Sequence, residues 1–203
     1  MENLSNFYLV LSRHNIYTKQ AFIRFINAII LMLLSTSIAQ ASTPTLDASY
    51  SSGISNGWLK VERWDSNNSN LTQESFPSDG RGDQTGQRVT FFAGDATPHS
   101  AKFLLYYAPD WDTNTKATPV LLVHGANQDA DIAWANPNDA GDYGCGRQSC
   151  PSTGLMQDLV DDDFKVFALS FAHKNGDGYF WSEQIADAIE IIKDKTGASE
   201  VDV

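Results

Sequence analysis

Residues 119 to 127 read PVLLVHGAN. Residues 120 to 123 are an unbroken apolar run, the pattern of a strand covered on both faces, as in a parallel sheet under helices. The run stops on His124, Gly125 and Ala126. Glycine lets a chain turn sharply and lets a ligand approach the main chain. A small residue after it leaves its own N–H unobstructed. Past a long connection, GLMQDLVDDD (154 to 163) carries Leu155, Met156, Leu159 and Val160 at helical spacing, and KVFALSF (165 to 171) is a second buried strand. SEQIADAIEIIKDKTG (182 to 197) then sets Ile185, Ala188, Ile189 and Ile192 on one helical stripe. Ser182 suits its start, Lys193 and Lys195 its negative end, and Gly197 its C′ position. EVDV (200 to 203) begins another strand.

This alternation predicts an α/β chain with a mostly parallel sheet and helices on both faces. Upstream, GWLKVERW (57 to 64), QRVTFFAG (87 to 94) and AKFLLYYAP (101 to 109) predict three strands with no helix between them, suited to an antiparallel N-terminal edge. Residues 42 to 56 are small and polar and predict an irregular lead-in. The expected organisation is an irregular and β lead-in over 42–85 and the N-terminal part of an α/β domain over 86–203.

The N-terminus has its own signature. Arg13, His14, Lys19 and Arg24 precede the apolar stretch FINAIILMLLSTSIA (25 to 39), and AQA follows, with Ala39 and Ala41 at the small-residue positions. That order predicts a secretory signal over 1–41, cleaved between Ala41 and Ser42, and hence an extracellular or periplasmic protein. A membrane anchor is the alternative. Against it, Asn27, Ser35, Thr36 and Ser37 dilute the stretch, and a span takes about 20 apolar residues. The basic lead is long, which leaves open a start downstream of Met1.

Hydrophobic residues make up 42% of the 203, so the chain can form a globular core. Its formal charge of −11 argues against nucleic acid or an anionic membrane surface as partner, because both need a basic face. Cys145 and Cys150 are the two cysteines, five apart in a Gly- and Asp-rich loop. In an oxidising compartment they predict a disulfide, with two free thiols as the alternative. A zinc site fits poorly, since the histidines are scattered and no second cysteine pair exists.

An apolar strand ending in HGAN, followed by helix, strand, amphipathic helix and VDV, resembles the α/β-hydrolase fold of secreted lipases and esterases. Bacterial lipases and the lipase-like extracellular poly(3-hydroxybutyrate) depolymerases are similar in order and spacing over roughly residues 100 to 203. The resemblance implies that the Ala126 N–H is one oxyanion donor, with His124 and Gly125 shaping its turn. It implies cleavage of carboxylic esters through a serine acyl-enzyme, on a small-molecule, lipid or polymer substrate, with no cofactor or metal. In those families the nucleophilic serine of G-x-S-x-G follows a strand like EVDV. The catalytic triad is therefore expected beyond Val203, and this chain alone is expected to be inactive. A polyester depolymerase and a non-catalytic secreted binding module remain as alternatives, the latter on the strength of five Trp and seven Tyr. Oligomeric state is not legible in the sequence.

Several shorter matches carry less. GISNG (53 to 57) is a literal G-x-S-x-G around Ser55, but the preceding segment is polar and no helix follows. SFAHKNGDG places Ser170, His173 and Asp177 in one loop, whereas a triad converges from separate segments. RGD (81 to 83) reads as a solvated turn. The Asp- and Asn-rich stretch from 127 to 146 lacks the regular spacing of a calcium loop. NNS (67 to 69) and NLT (70 to 72) match glycosylation acceptors.

Overall fold

A computed structural model of the chain describes residues 43 to 138 and 152 to 203. The expected signal segment, its cleavage site at Ala41 and Ser42, and the Cys145–Cys150 pair lie outside the described residues.

Period-2 alternation is plainest in β3, Lys102–Tyr107, where Leu104 and Tyr106 face one side of the sheet and Phe103, Leu105 and Tyr107 the other. With β1 (Thr45–Tyr50), β2 (Lys60–Asp65), β4 (Val120–Leu122) and β5 (Val166–Phe171) it forms one sheet in the order β1-β2-β3-β5-β4. β1/β2, β2/β3 and β3/β5 pair antiparallel, and only β4/β5 pairs parallel. Val120 also bridges Asp202 in parallel. There the Leu121 N–H donates to the Asp202 carbonyl at 2.8 Å, and the Asp202 N–H to the Pro119 carbonyl at 3.0 Å.

The expectation of a mostly parallel α/β sheet with helices on both faces is therefore corrected: the sheet is mixed and mostly antiparallel, and the helices are few. An unbroken apolar run reports that a strand is central; it does not report the direction of its neighbours. β3 and β5 are both almost wholly buried, yet they run in opposite directions. Two further segments differ. QRVTFFAG is not a strand: Gln87–Phe91 is a short helix, α1, whose Arg88 and Phe91 point inward at i, i+3. The lead-in holds the edge strand β1, whose residues are half-buried at most and whose register slips between Leu46 and Ala48. Its inward anchor is Tyr50, whose hydroxyl donates to the Phe91 carbonyl at 3.1 Å.

The core lies on both sides of the sheet. On one, Trp58, Val61, Leu104, Tyr106 and Ala168 pack with Phe91 of α1 and Met156 of α2 (Leu155–Asp161). On the other, Phe103, Leu105, Phe167 and Leu169 pack with Ala188, Ile191 and Ile192 of α3, Gly178–Thr196. α3 begins a turn before Ser182. Its cap is Asp177, whose carboxylate accepts the Tyr179 N–H at 2.8 Å, while Ser182 Oγ donates to the Tyr179 carbonyl inside the helix. Gly197 ends it at φ 71°, the left-handed conformation that glycine takes without strain.

Glu62 is buried at 2% exposure on the α3 face. It lies 2.6 Å from Lys60 Nζ and 3.3 Å from Lys195 Nζ, and it accepts from the Tyr107 hydroxyl at 2.5 Å and the Trp64 indole at 3.1 Å. Burial pushes its carboxyl up, but the bonds from Lys60 and Tyr107 and the charge of Lys195 outweigh it and hold it below the usual range. A depressed carboxyl contributes stability above its unfolded value, about 4.3, and loses it as pH falls through the folded value. Glu62→Gln is thus expected to be about 2 kcal/mol less stable than wild type at pH 7 in urea unfolding. The gap should close as the pH is lowered through the acid range; a gap independent of pH contradicts the assignment.

Candidate functional site

Because β4 and β5 run parallel, the loops that leave their carboxyl ends meet at one edge of the sheet. His124 sits at that edge with 3% exposure. Its Nε2 accepts the Phe171 N–H at 3.4 Å, and its Nδ1 lies 2.8 Å from the Gly125 carbonyl. Those bonds assign the proton to Nδ1. Burial pushes the ring below its ordinary value, despite the Gly125 bond, so it stays neutral. The ring packs on Phe171 at 5.0 Å, and Phe171 stacks on Trp181 of α3 at 4.6 Å. His124 therefore welds the end of β4 to β5.

A tight turn follows. The Gln128 N–H reaches back to the Gly125 carbonyl at 3.3 Å, and Asn127, third in the turn, has φ 63°. Positive φ at that position is the type II pattern, in which the second residue keeps φ near −60°. The turn is tied to the loop after β5: the Asn127 N–H donates to the Lys174 carbonyl at 3.0 Å, and Asn175 Nδ2 to Asn127 Oδ1 at 2.5 Å. Ala126, the second residue, is exposed, and its N–H has no acceptor among the described residues. Gly125 is exposed as well, and a Cβ built on it meets nothing within 4 Å. The arrangement leaves a main-chain donor unpaired among the described residues, on an exposed turn past the carboxyl end of β4, where open sheets with parallel strands bind ligands.

Beneath the turn lies a buried charge network that the sequence does not reveal. Arg88, 5% exposed, holds Asp131 Oδ2 at 2.7 Å and Asp129 Oδ2 at 2.9 Å. Asp129 Oδ1 accepts the N–H groups of Asp131 and Ile132, both at 3.0 Å, which starts the π-helical turn Asp131–Ala135. Burial pushes the Asp131 carboxyl up, against its bond from Gln87 and the Arg88 charge. Thr85 Oγ1 accepts from both Arg88 and Lys174, at 3.0 and 2.9 Å. Arg88 reads as a strand residue in QRVTFFAG, and only the helical phase of α1 turns it inward.

The other sequence candidates fall into structural roles. Ser55 is exposed and its N–H bonds Gln87. It borders a cleft of about 270 Å3 with Arg88 and Asp131, and no histidine is among the described residues that line it. Ser170, His173 and Asp177 do not act on one another. Ser170 Oγ accepts the Ala130 N–H, His173 accepts the Asn175 N–H and contacts the Ser75 carbonyl, and Asp177 caps α3. Asp129 and Asp131, at the start of the Asp- and Asn-rich stretch, have their carboxylates on Arg88. Asn67 and Asn70 are exposed.

In RGD, Gly82 is buried against the His173 ring, and its carbonyl accepts the Lys174 N–H at 3.1 Å. Its φ is +97°, and a Cβ would lie 2.3 Å from His173 Cε1. Gly82→Ala is expected to lower stability by about 2–4 kcal/mol, combining left-handed strain with displacement of a packed ring, as read in urea unfolding. A loss below about 1 kcal/mol contradicts this packing.

A cleft of about 430 Å3 opens beside the turn, lined by Glu74, Ser75, Arg81, Asn127, His173 and Asn175 together with Pro77. Asn127 closes HGAN and Asn175 lies within SFAHKNGDG, but neither segment gives its asparagine a role. Their signal is positional: each lies just past the carboxyl end of a strand in the parallel pair. No protein-family model matches the chain, and neither a curated protein nor a solved structure matches it.

Proposed function

We propose that this chain supplies the oxyanion-binding half of a secreted serine carboxylic-ester hydrolase of the lipase/esterase type. The observation that carries the reading is the exposed Ala126 N–H, without a described acceptor, at the carboxyl end of β4 and next to a cleft wall. In ester cleavage a serine attacks the carbonyl carbon and the carbonyl oxygen becomes an anion. A main-chain donor already fixed in space stabilises that charge without reorganising as it forms. Collapse of the intermediate expels the alcohol and leaves an acyl-serine, which water then hydrolyses. His124, neutral and bonded on both ring nitrogens, holds the turn in place and transfers no proton. The reading does not depend on a mostly parallel sheet; it needs only the β4–β5 edge. It requires a serine, a histidine and an acid from residues other than those described.

Gly125→Ala tests the reading in the complete gene product. The new Cβ meets no atom of the described residues within 4 Å and the position has no positive φ, so the folded state is expected to keep its stability within about 1 kcal/mol. The methyl group is added on the residue directly before the Ala126 N–H, where it would crowd an ester bound there. Turnover of p-nitrophenyl butyrate is expected to fall by roughly ten- to a hundredfold, the effect of a misplacement near 1 Å. Unchanged turnover, or no ester hydrolysis by the wild type, rejects the reading.

A further inference from the structure

The cleft beside the turn has walls that an alkyl chain does not match. Ala126 is not in the lining, but Asn127, the next residue of the same turn, is, so an ester bound at the Ala126 N–H would have this wall one residue away from its carbonyl. The bond from Asn175 Nδ2 to Asn127 Oδ1 leaves Asn127 Nδ2 and Asn175 Oδ1 without partners among the described residues. Arg81 bonds Asp79 through Nε at 2.8 Å, which leaves its two terminal nitrogens in the same condition, and Ser75 Oγ is likewise unbonded there. Among the described residues of the lining, Pro77 is the one apolar side chain.

An alkyl chain in this cleft strips water from those groups and returns no hydrogen bond. Each stripped group costs on the order of tenfold in binding, and sites built to hydrogen-bond a substrate reject analogues that lack the matching group. A charged ligand fits no better. An anion meets two carboxylates, Asp79 and Glu74, against the one guanidinium of Arg81, and a cation finds both carboxylates already engaged, Asp79 by Arg81 and Glu74 by the Asp177 N–H at 2.6 Å. The geometry points to an ester whose flanking portion is uncharged and rich in hydroxyl, ether or amide groups. This inference rests on the ester-hydrolase reading and narrows it away from long-chain lipids.

Two matched pairs test it in the complete gene product, below micellar concentrations. One varies the acyl side, p-nitrophenyl 5-methoxypentanoate against p-nitrophenyl heptanoate. The other varies the alcohol side, 2-(2-hydroxyethoxy)ethyl butyrate against hexyl butyrate. The polar member is expected to lead in kcat/KM by about tenfold in at least one pair. Arg81→Met, on an exposed side chain, and Asn175→Ala should each shrink that lead. A ratio near or below one in both pairs overturns the inference, as does a lead that neither variant changes. Hydrolysis of none of the four esters rejects the ester reading itself, and this assignment with it.

Discussion

Ala126→Pro is expected to lower kcat for ester hydrolysis by about 10²- to 10³-fold while leaving KM and folding nearly unchanged. Proline removes one atom that matters, the amide hydrogen, and the second position of a type II turn is where proline fits with least strain. The turn's own bonds use other groups: the Gly125 carbonyl, the Gln128 N–H, the Asn127 N–H and the Lys174 carbonyl. The Ala126 N–H takes part in none of them among the described residues, so its removal leaves the turn intact. A donor that acts only on the charged intermediate affects kcat and kcat/KM alike, because the ground-state ester gains little from it. Ala126→Gly, which keeps the N–H, should retain most of the activity. If the proline variant is as active as wild type, the amide is not an oxyanion donor. If it unfolds, the turn has another geometry.

Arg88→Met is expected to have the largest effect on stability, about 3–5 kcal/mol in urea unfolding. The side chain stands between Asp129 and Asp131, each about 1% exposed, and once the guanidinium is gone Asp131 keeps a bond from the uncharged Gln87 while the nearest described cation to Asp129 is Lys174 at 4.0 Å. Breaking such a group by removing one partner leaves charge buried without compensation, whereas replacing the whole group by apolar residues is often neutral. The triple variant Arg88→Met, Asp129→Asn, Asp131→Asn should therefore recover a large part of the loss. Recovery confirms the charge account. Equal losses in the single and triple variants place the cost in packing instead. The single variant should also free the turn, since Asp129 anchors the segment just after Gln128, and the amide protection of Asn127 in hydrogen exchange should fall with it.

The strand that carries the site was legible because its signal is local. Val120 to Val123 is continuously apolar and the turn chemistry of Gly125 follows at once. The stripe of α3 was equally local, and Ala188 and Ile192 are fully buried as that stripe requires. The direction of the sheet was not local. It depends on which strands pair, and β3 and β5 share one apolar signature while running opposite ways. α1 was misread because Val89, Thr90, Phe91 and Phe92 have strand propensity, and packing of Phe91 against Tyr50 and Tyr106 overrides it. β1 escaped notice since an edge strand buries little, and its sequence is correspondingly polar. The Arg88 network and the Asn127–Asn175 pair unite residues from distant segments, which spacing alone does not bring together.

The state of the Ala126 amide can be observed directly by 15N-resolved NMR of the complete gene product, before and after reaction with a p-nitrophenyl alkylphosphonate that mimics the tetrahedral intermediate. An exposed donor without a protein acceptor exchanges its hydrogen rapidly in the free protein. Occupied by the phosphonyl oxygen, the same resonance should move downfield and become protected, with the neighbouring Asn127 amide protected throughout. An Ala126 amide that is already protected in the free protein, or that is unmoved once the phosphonate has reacted, contradicts the account.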